Sequence, residues 1–434
     1  MGPATAAPRP YWLLQQRLDR NVTGAPDSPT FLRILQLLFT PDEADLARRI
    51  PTTFIPLRRL ARRAHLDEAR LADMVASMAE RGLVFDLEHE GQRYVALPPV
   101  VIGFFEFTFM RAREDYPLAE LAQLFEQYFY EREDFARAVF EGQTQVGRSL
   151  VREEALPEGD HTEVLDWERA SWVVETASSH AVSLCACRHH AQQAGHPCPH
   201  PMRTCLSLNG AADILARQGI AEPITKGEAM GILEQAKAAG LAQTGDNVQR
   251  NVSYICNCCG CSCGMMNAIR RFDLRQAVVT SNWISEINVD LCNGCTRCVK
   301  VCPVNAITIA SGQRDGRFRK WAVRDADLCL GCGVCYTHCK RGALRMRPRA
   351  RRVFTPETTF DRIVAMAIER GKLGDLLLDN LEGWGPQALA RVVQAIEKTP
   401  FPTVLNAIAP LKSTFLQVIV RTARQSAGEA AAKV

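Results

Sequence analysis

The sequence predicts an α+β multidomain chain, and three observations carry that expectation. Apolar residues recur at helical spacing towards both ends, as in FLRILQLLF from Phe31 and RIVAMAIER from Arg362. Short β-branched and aromatic runs bounded by turn residues lie between them, as in VFDLEHEGQRYVAL and VSYIC. Seventeen cysteines stand among the 434 residues, all from Cys185 onward and mostly close together.

A chain of this length has room for roughly two to four domains. A net charge of +4 is too small to diagnose a partner. The start, MGPATAAPRPYWLLQQRLDR, shows no basic segment followed by an apolar one, so no secretory signal is expected. Clustered, closely spaced cysteines then read as metal ligands in a reducing compartment, taken here as the cytoplasm. The most apolar stretch, Val100 to Met110, is interrupted by Glu106, and no membrane span is expected.

Taken in order, residues 1–29 are rich in Pro, Ala and Gly and read as a flexible arm. Residues 30–140 read as a first domain. Thr40-Pro41-Asp42-Glu43 has the cap, proline and acids of a helix start. Two helices follow, with a turn at His65-Leu66-Asp67, and then a hairpin turning at Glu90-Gly91. This helix-turn-helix plus hairpin, residues 30–98, resembles a winged-helix domain. Many of those bind DNA through the second helix. Here that helix carries Asp67, Glu68, Asp73 and Glu80 against Arg70 and Arg81, a poor match to phosphate. Arg58, Arg59, Arg62 and Arg63 on the preceding helix supply the opposite argument. The phenylalanines of residues 99–140 read as core, with an oligomer interface as the alternative. Residues 141–162 read as a linker.

Residues 162–273 form a cysteine-rich domain. AVSLCACRHH reads as a strand that puts Cys185 and Cys187 on one side. Cys198 and Cys205 follow. Thr225-Lys226-Gly227-Glu228 reads as a capping box. VSYICNCCGCSCG then brings Cys256, Cys258, Cys259, Cys261 and Cys263 close together. The first expectation is an iron–sulfur cluster on Cys185, Cys187, Cys198 and Cys205, a third beside the two that the runs at 292–302 and 329–339 imply below. A structural zinc site is the alternative, with His189, His190, His196 or His200 as substitute ligands. Cys256, Cys258, Cys259, Cys261 and Cys263 are candidates for a further metal site.

Residues 283–350 carry CNGCTRCVKVCP and CLGCGVCYTHCK, the run C-x2-C-x2-C-x3-C written twice. Gly294 and Gly331 let the backbone curl tightly inside each run. This segment resembles the dicluster bacterial-type ferredoxin, whose runs hold two [4Fe–4S] clusters and exchange their fourth cysteines. The resemblance implies one cluster on Cys292, Cys295, Cys298 and Cys339. It implies a second on Cys329, Cys332, Cys335 and Cys302. Zinc more commonly uses separated C-x2-C pairs. The second run departs from the family in ending Cys339-Lys340 where the first ends Cys302-Pro303. The whole layout, CxCR, a CNCC-type cluster and then two ferredoxin runs, resembles a family of large prokaryotic iron–sulfur proteins. Cys258-Cys259-Gly260 resembles the CCG element of heterodisulfide-reductase-type subunits.

Lys340 to Arg352 is rich in basic residues, with Arg345, Arg347, Arg349 and Arg351 at alternate positions. A docking face for an acidic redox partner and a solvated strand edge are equal expectations. Residues 355–434 read as a helical domain without a catalytic constellation. No Gly-rich dinucleotide fingerprint follows a strand, and no P-loop is present. The function expected is single-electron transfer to or from a protein partner, or as a subunit of an oxidoreductase, rather than a stand-alone enzyme. A redox-sensing winged-helix transcription regulator is the alternative, and a scaffold subunit is a third. Membrane and nucleic acid are not expected partners.

Overall fold

The computed structural model describes residues 8–156, 165–314 and 316–378. The helices expected over 386–398 and 410–425, and part of the expected linker, lie outside the described residues. The chain divides into two compact units. One comprises Met1–Thr144, Arg217–Ile220 and Ile363–Val434, and the other Gln145–Ala216 and Ala221–Arg362.

In the first unit, residues 9–19 are not the loose arm expected. Arg9–Asp19 is a helix that buries Tyr11, Leu14 and Leu18. Its three-and-four spacing was masked by the flanking prolines and alanines. The Tyr11 hydroxyl donates to the Phe39 carbonyl at 3.0 Å, and Gln15 to the Ala25 carbonyl at 2.8 Å. The helix Pro29–Leu38 is capped by Ser28. Pro41–Ala47 starts with a complete capping box between Thr40 and Glu43.

Strand β1 (Ile55–Pro56) leads into the helix Leu57–Ala64. His65 in the left-handed region ends that helix, and Asp67 caps the next, Glu68–Glu80. Strands β2 (Phe85–His89) and β3 (Gln92–Ala96) form the hairpin, turning at Glu90 and Gly91 with φ of 51° and 72°. The sheet order is β1-β3-β2. The phenylalanines beyond it are core. Phe105 meets Phe125 and Phe129 with ring centroids 5.0 and 4.7 Å apart, and Phe31 stacks on Tyr128 at 4.6 Å. Burying each such ring contributes about 1.5–3 kcal/mol. Glu369, at the end of the helix Thr359–Glu369, accepts from the Thr144 backbone N–H at 2.8 Å and its hydroxyl at 2.6 Å.

The second unit is built on a six-stranded antiparallel sheet. Its strands are β4 (Gly147–Ser149), β5 (His180–Leu184), β6 (Arg203–Leu208), β7 (Glu222–Pro223), β8 (Ala242–Asp246) and β9 (Tyr254–Cys258). They run in the order β4-β8-β9-β6-β5-β7. Residues 147–149, expected in a linker, are therefore an edge strand. The sequence GRSLV was too short and too polar to read as one. Val173, Val174, Leu206, Leu208, Leu233 and Ile255 are among the buried residues of its core. Helix Lys226–Ala238 opens with the expected Thr225–Glu228 capping box.

The same unit contains β10 (Trp283–Ile287), β11 (Ile307–Arg314), β12 (Arg317–Arg324) and β13 (Leu344–Pro348). β10 pairs antiparallel with β13, and β11 with β12. The short helices Arg297–Val301 and Val334–Thr337 complete the two-fold pattern. Both cysteine-bearing regions thus belong to one compact unit rather than to separate domains.

Candidate metal centres

The cysteines gather in four places, two in each region. In the later region, Gly294 and Thr296 have φ of 65° and 66° and bend the first run round a cavity. Cys292, Cys295, Cys298 and Cys339 all line that cavity, with Ile287, Ile309, Ala322 and Leu344 as apolar walls and Arg341 at its edge. Three of these cysteines come from one loop and the fourth from the other run, the exchange that the spacing implied. The Ala322 backbone N–H points at the Cys292 sulfur at 3.4 Å.

The second group is more enclosed. Burial pushes the Cys332 thiol up to about 12, and the neighbouring Cys302 and Cys329 thiolates add to the effect. Burial also raises Cys335, reinforced by Cys332, Cys329 and Cys302. The four expected residues thus lie near enough to influence one another, and Cys298 of the first group also reaches Cys335. The Ala306 N–H reaches the Cys302 sulfur at 3.2 Å, and the Ser285 hydroxyl lies 3.7 Å from Cys329. Such groups orient thiolates and shift a cluster's potential. Cys295 is exposed, whereas Cys329 and Cys335 are buried, so the first group faces solvent and the second lies inside.

Four cysteines per group, enclosed in apolar walls and met by backbone N–H donors, fit a cubane cluster better than isolated thiols. Residues 291–357 match the family model of the 4Fe-4S dicluster domain. The dicluster domain therefore supplies 4Fe–4S binding and an iron–sulfur electron-transfer role. A cluster of this kind takes up and releases single electrons. A search among curated proteins returns no match to the chain. No helix among the described residues is long and apolar enough to cross a membrane.

Beside the dicluster domain, the sheet sorts the other nine cysteines differently from the expectation. Register places Ser183, Cys205, Cys256 and Thr244 in one row across β5, β6, β9 and β8. Cys258 lies on the same side of β9 as Cys256. Cys185 stands immediately before the helix Ala186–Gln193, Cys187 sits in its first turn, and Cys263 stands immediately before Gly264–Phe272. Cys187 is thus helical, not in a strand, because β5 ends at Leu184. Cys205 neighbours Cys256, Cys256 neighbours Cys258, Cys263 neighbours both Cys258 and Cys187, and Cys187 neighbours Cys185, each close enough to shift the other's thiol. The Cys263 and Cys258 sulfurs are 3.4 Å apart. Six cysteines form one cradle, with two helix N-termini favouring negative charge on it.

Cys198 is not part of that cradle. It joins Cys259 and Cys261, with sulfurs 3.7 and 3.0 Å away. The expected four of Cys185, Cys187, Cys198 and Cys205 is therefore divided, and so are the five of residues 256–263. Alternation along β9 turns Cys258 to the sheet face. The chain then leaves the strand, and Cys259 and Cys261 face the loop that carries Cys198. Among the candidate histidines, His189 and His190 are buried, His196 is exposed and His200 is half-buried.

Arg188 lies between the two groups and was not singled out from the sequence. Its side chain is fully buried and donates to the Asn257 carbonyl at 3.0 Å and to the Thr204 hydroxyl. Burial opposes its charge, but the sulfurs of Cys185, Cys259 and Cys258 outweigh that and hold the guanidinium protonated. A buried cation needs anions beside it, and thiolates supply them here. Its one sequence signal was its place directly after Cys187.

The basic segment is less free than its alternation suggested. Arg345 and Arg347 share Glu286, at 2.6 and 3.6 Å. Arg349 turns inward, donating to the carbonyls of Ser281 and Trp283 at 3.0 and 3.1 Å. Lys340, Arg341, Arg351 and Arg352 are exposed.

Proposed function

We propose that the chain relays single electrons between a protein partner at its surface and a third iron–sulfur centre in the six-cysteine cradle. The two dicluster groups, Cys292, Cys295, Cys298 and Cys339, and Cys329, Cys332, Cys335 and Cys302, each hold one [4Fe–4S] cluster in this scheme. The observation that carries it is the contact of Gly260 with Pro303. A β-carbon on Gly260 would stand 2.7 Å from the Pro303 carbonyl oxygen. Pro303 follows Cys302 of the inner group, and Gly260 lies two residues from Cys258 of the cradle. Backbone contact at that point gives the inner group a short path to the cradle. The exposed outer group, rimmed by Arg341 and next to Lys340, suits an acidic partner protein.

Iron and acid-labile sulfide on anaerobically purified protein test this. The dicluster domain accounts for about eight irons. Wild type should exceed that, and Cys256→Ser should fall to it with the dicluster EPR signals intact. About eight irons in wild type would remove the third centre. Gly260→Val should slow electron equilibration between dicluster domain and cradle after rapid reduction, while leaving the iron content unchanged. Lys340→Glu with Arg341→Glu should slow reduction by an acidic carrier about tenfold or more at low salt.

A further inference from the structure

We infer that Cys198, Cys259 and Cys261 bind a single zinc ion through three thiolates, with the fourth coordination position open to a thiol from solution. Its ligands are not those of the relay's clusters, although Cys259 and Cys261 flank Gly260 at the relay's contact with Pro303.

The mutual closeness of three sulfurs, rather than of one pair, suits a single ion. In a cubane each cysteine binds a different iron, so ligand sulfurs stay well separated. On one tetrahedral zinc ion, with Zn–S near 2.3 Å, they lie about 3.8 Å apart. Here Cys198 lies 3.7 Å from Cys259 and 3.0 Å from Cys261. All three sulfurs are within 4.8 Å of one another, and among the described residues no other group of Cys, His, Asp or Glu is gathered so tightly. The dicluster quartets, built for cubanes, are not.

The site is formed by two loops. Cys198 stands in the turn-rich segment after the helix Ala186–Gln193, and Cys259 and Cys261 flank Gly260 beyond β9. Ala236 and Leu241 wall one side with Cys259, which is buried, and Cys261 opens the other side to solvent. Charge balances as well. Three thiolates and a dication leave one negative charge, and Arg188 beside Cys259 supplies one positive charge. Binding releases the three thiol protons to solvent.

Structural zinc sites are closed by a fourth protein ligand, whereas sites with three keep a position for an exogenous one. No fourth side chain joins this group among the described residues. The open position faces out past Cys261. A thiolate-rich ion prefers a soft ligand, so a small-molecule thiol, bound as thiolate, is the class of ligand it takes.

Zinc content and zinc-edge X-ray absorption on the full-length, anaerobic protein test the inference, since the zinc edge is blind to iron. Wild type treated with zinc alone and desalted should retain about one zinc per chain. Its spectrum should fit three sulfurs near 2.3 Å and one nitrogen or oxygen near 2.0 Å. Adding 2-mercaptoethanol should convert it to four sulfurs. Cys261→Ser, a surface change, should weaken zinc retention at least tenfold with the dicluster EPR signals unchanged, which shows the fold intact. Cys198→Ser should do the same. Zinc absent from wild type, or unchanged in both variants, would overturn the site. A spectrum that thiol does not alter would overturn the open position.

Discussion

The carbonyl oxygen of Trp283 fills the space that a β-carbon on Gly331 would need, and the Ser281 hydroxyl crowds it from beside. Gly331 also has φ of 73°, in the region that side chains avoid. The second run therefore needs glycine there twice over. Gly331→Ala should destabilise the domain by more than about 1 kcal/mol. The loop carrying Cys329 and Cys332 should shift with it. The readout is EPR of the reduced protein, where one of the two dicluster signals should vanish. Two retained signals would show that the loop adjusts at no cost to its ligands.

Arg188→Met should empty the cradle. Removing one partner of a buried charge pair typically costs about 3–5 kcal/mol, because the other partner is left uncompensated. The thiolates of Cys185, Cys258 and Cys259 are those partners. Iron per chain should fall to the content of the dicluster domain alone. Arg188→Lys restores the charge without the planar fork that reaches Asn257 and Thr204 together, and should recover only part.

Burial raises the Tyr116 hydroxyl to about 12, against the pull of Arg81 and Arg113. The unfolded phenol ionises near 10. Stability from this group is complete below pH 10 and declines as pH rises from about 10 to about 12, by on the order of 2–3 kcal/mol over that window. Ultraviolet titration checks it. The difference between wild type and Tyr116→Phe should show no phenolate at pH 10.5 in the folded protein. A phenolate signal there would mean that the ring is solvated.

DNA should not bind with a specific, salt-sensitive shift. Glu68, Asp73 and Glu80 are exposed on the second helix of the helix–hairpin unit, where a phosphate-facing surface would be basic. Gel shifts against random and enriched duplexes at two salt concentrations measure this. A shift that weakens steeply with salt and with Arg58→Ala plus Arg62→Ala would favour the regulator instead.

What could be seen in the sequence followed from distance along the chain. The dicluster runs carry three ligands of each group within a few residues, and the resemblance those runs carry implied the exchanged fourth. The caps at Thr40 and Thr225 are equally local. The nine other cysteines are sorted by register between β6 and β9, segments about fifty residues apart, and by where β5 and β9 stop. No spacing rule encodes that. Cys198 could not have been assigned, because its neighbours come from a loop after the last strand of the sheet. The helix Arg9–Asp19 had the signal, in Tyr11, Leu14 and Leu18, but within a composition that reads as loose.

The row of Ser183, Cys205, Cys256 and Thr244 across four strands has a consequence for biogenesis. The cradle does not exist until β9 has left the ribosome and paired with β6. Three of the four ligands of each dicluster group, by contrast, are presented almost as soon as they are made, and only the exchanged fourth comes from the other run. For that interval the six thiols stand open to oxidants, and a disulfide formed among them would block loading. The chain should therefore mature its dicluster domain readily under many conditions, and its cradle only where folding is completed without oxygen.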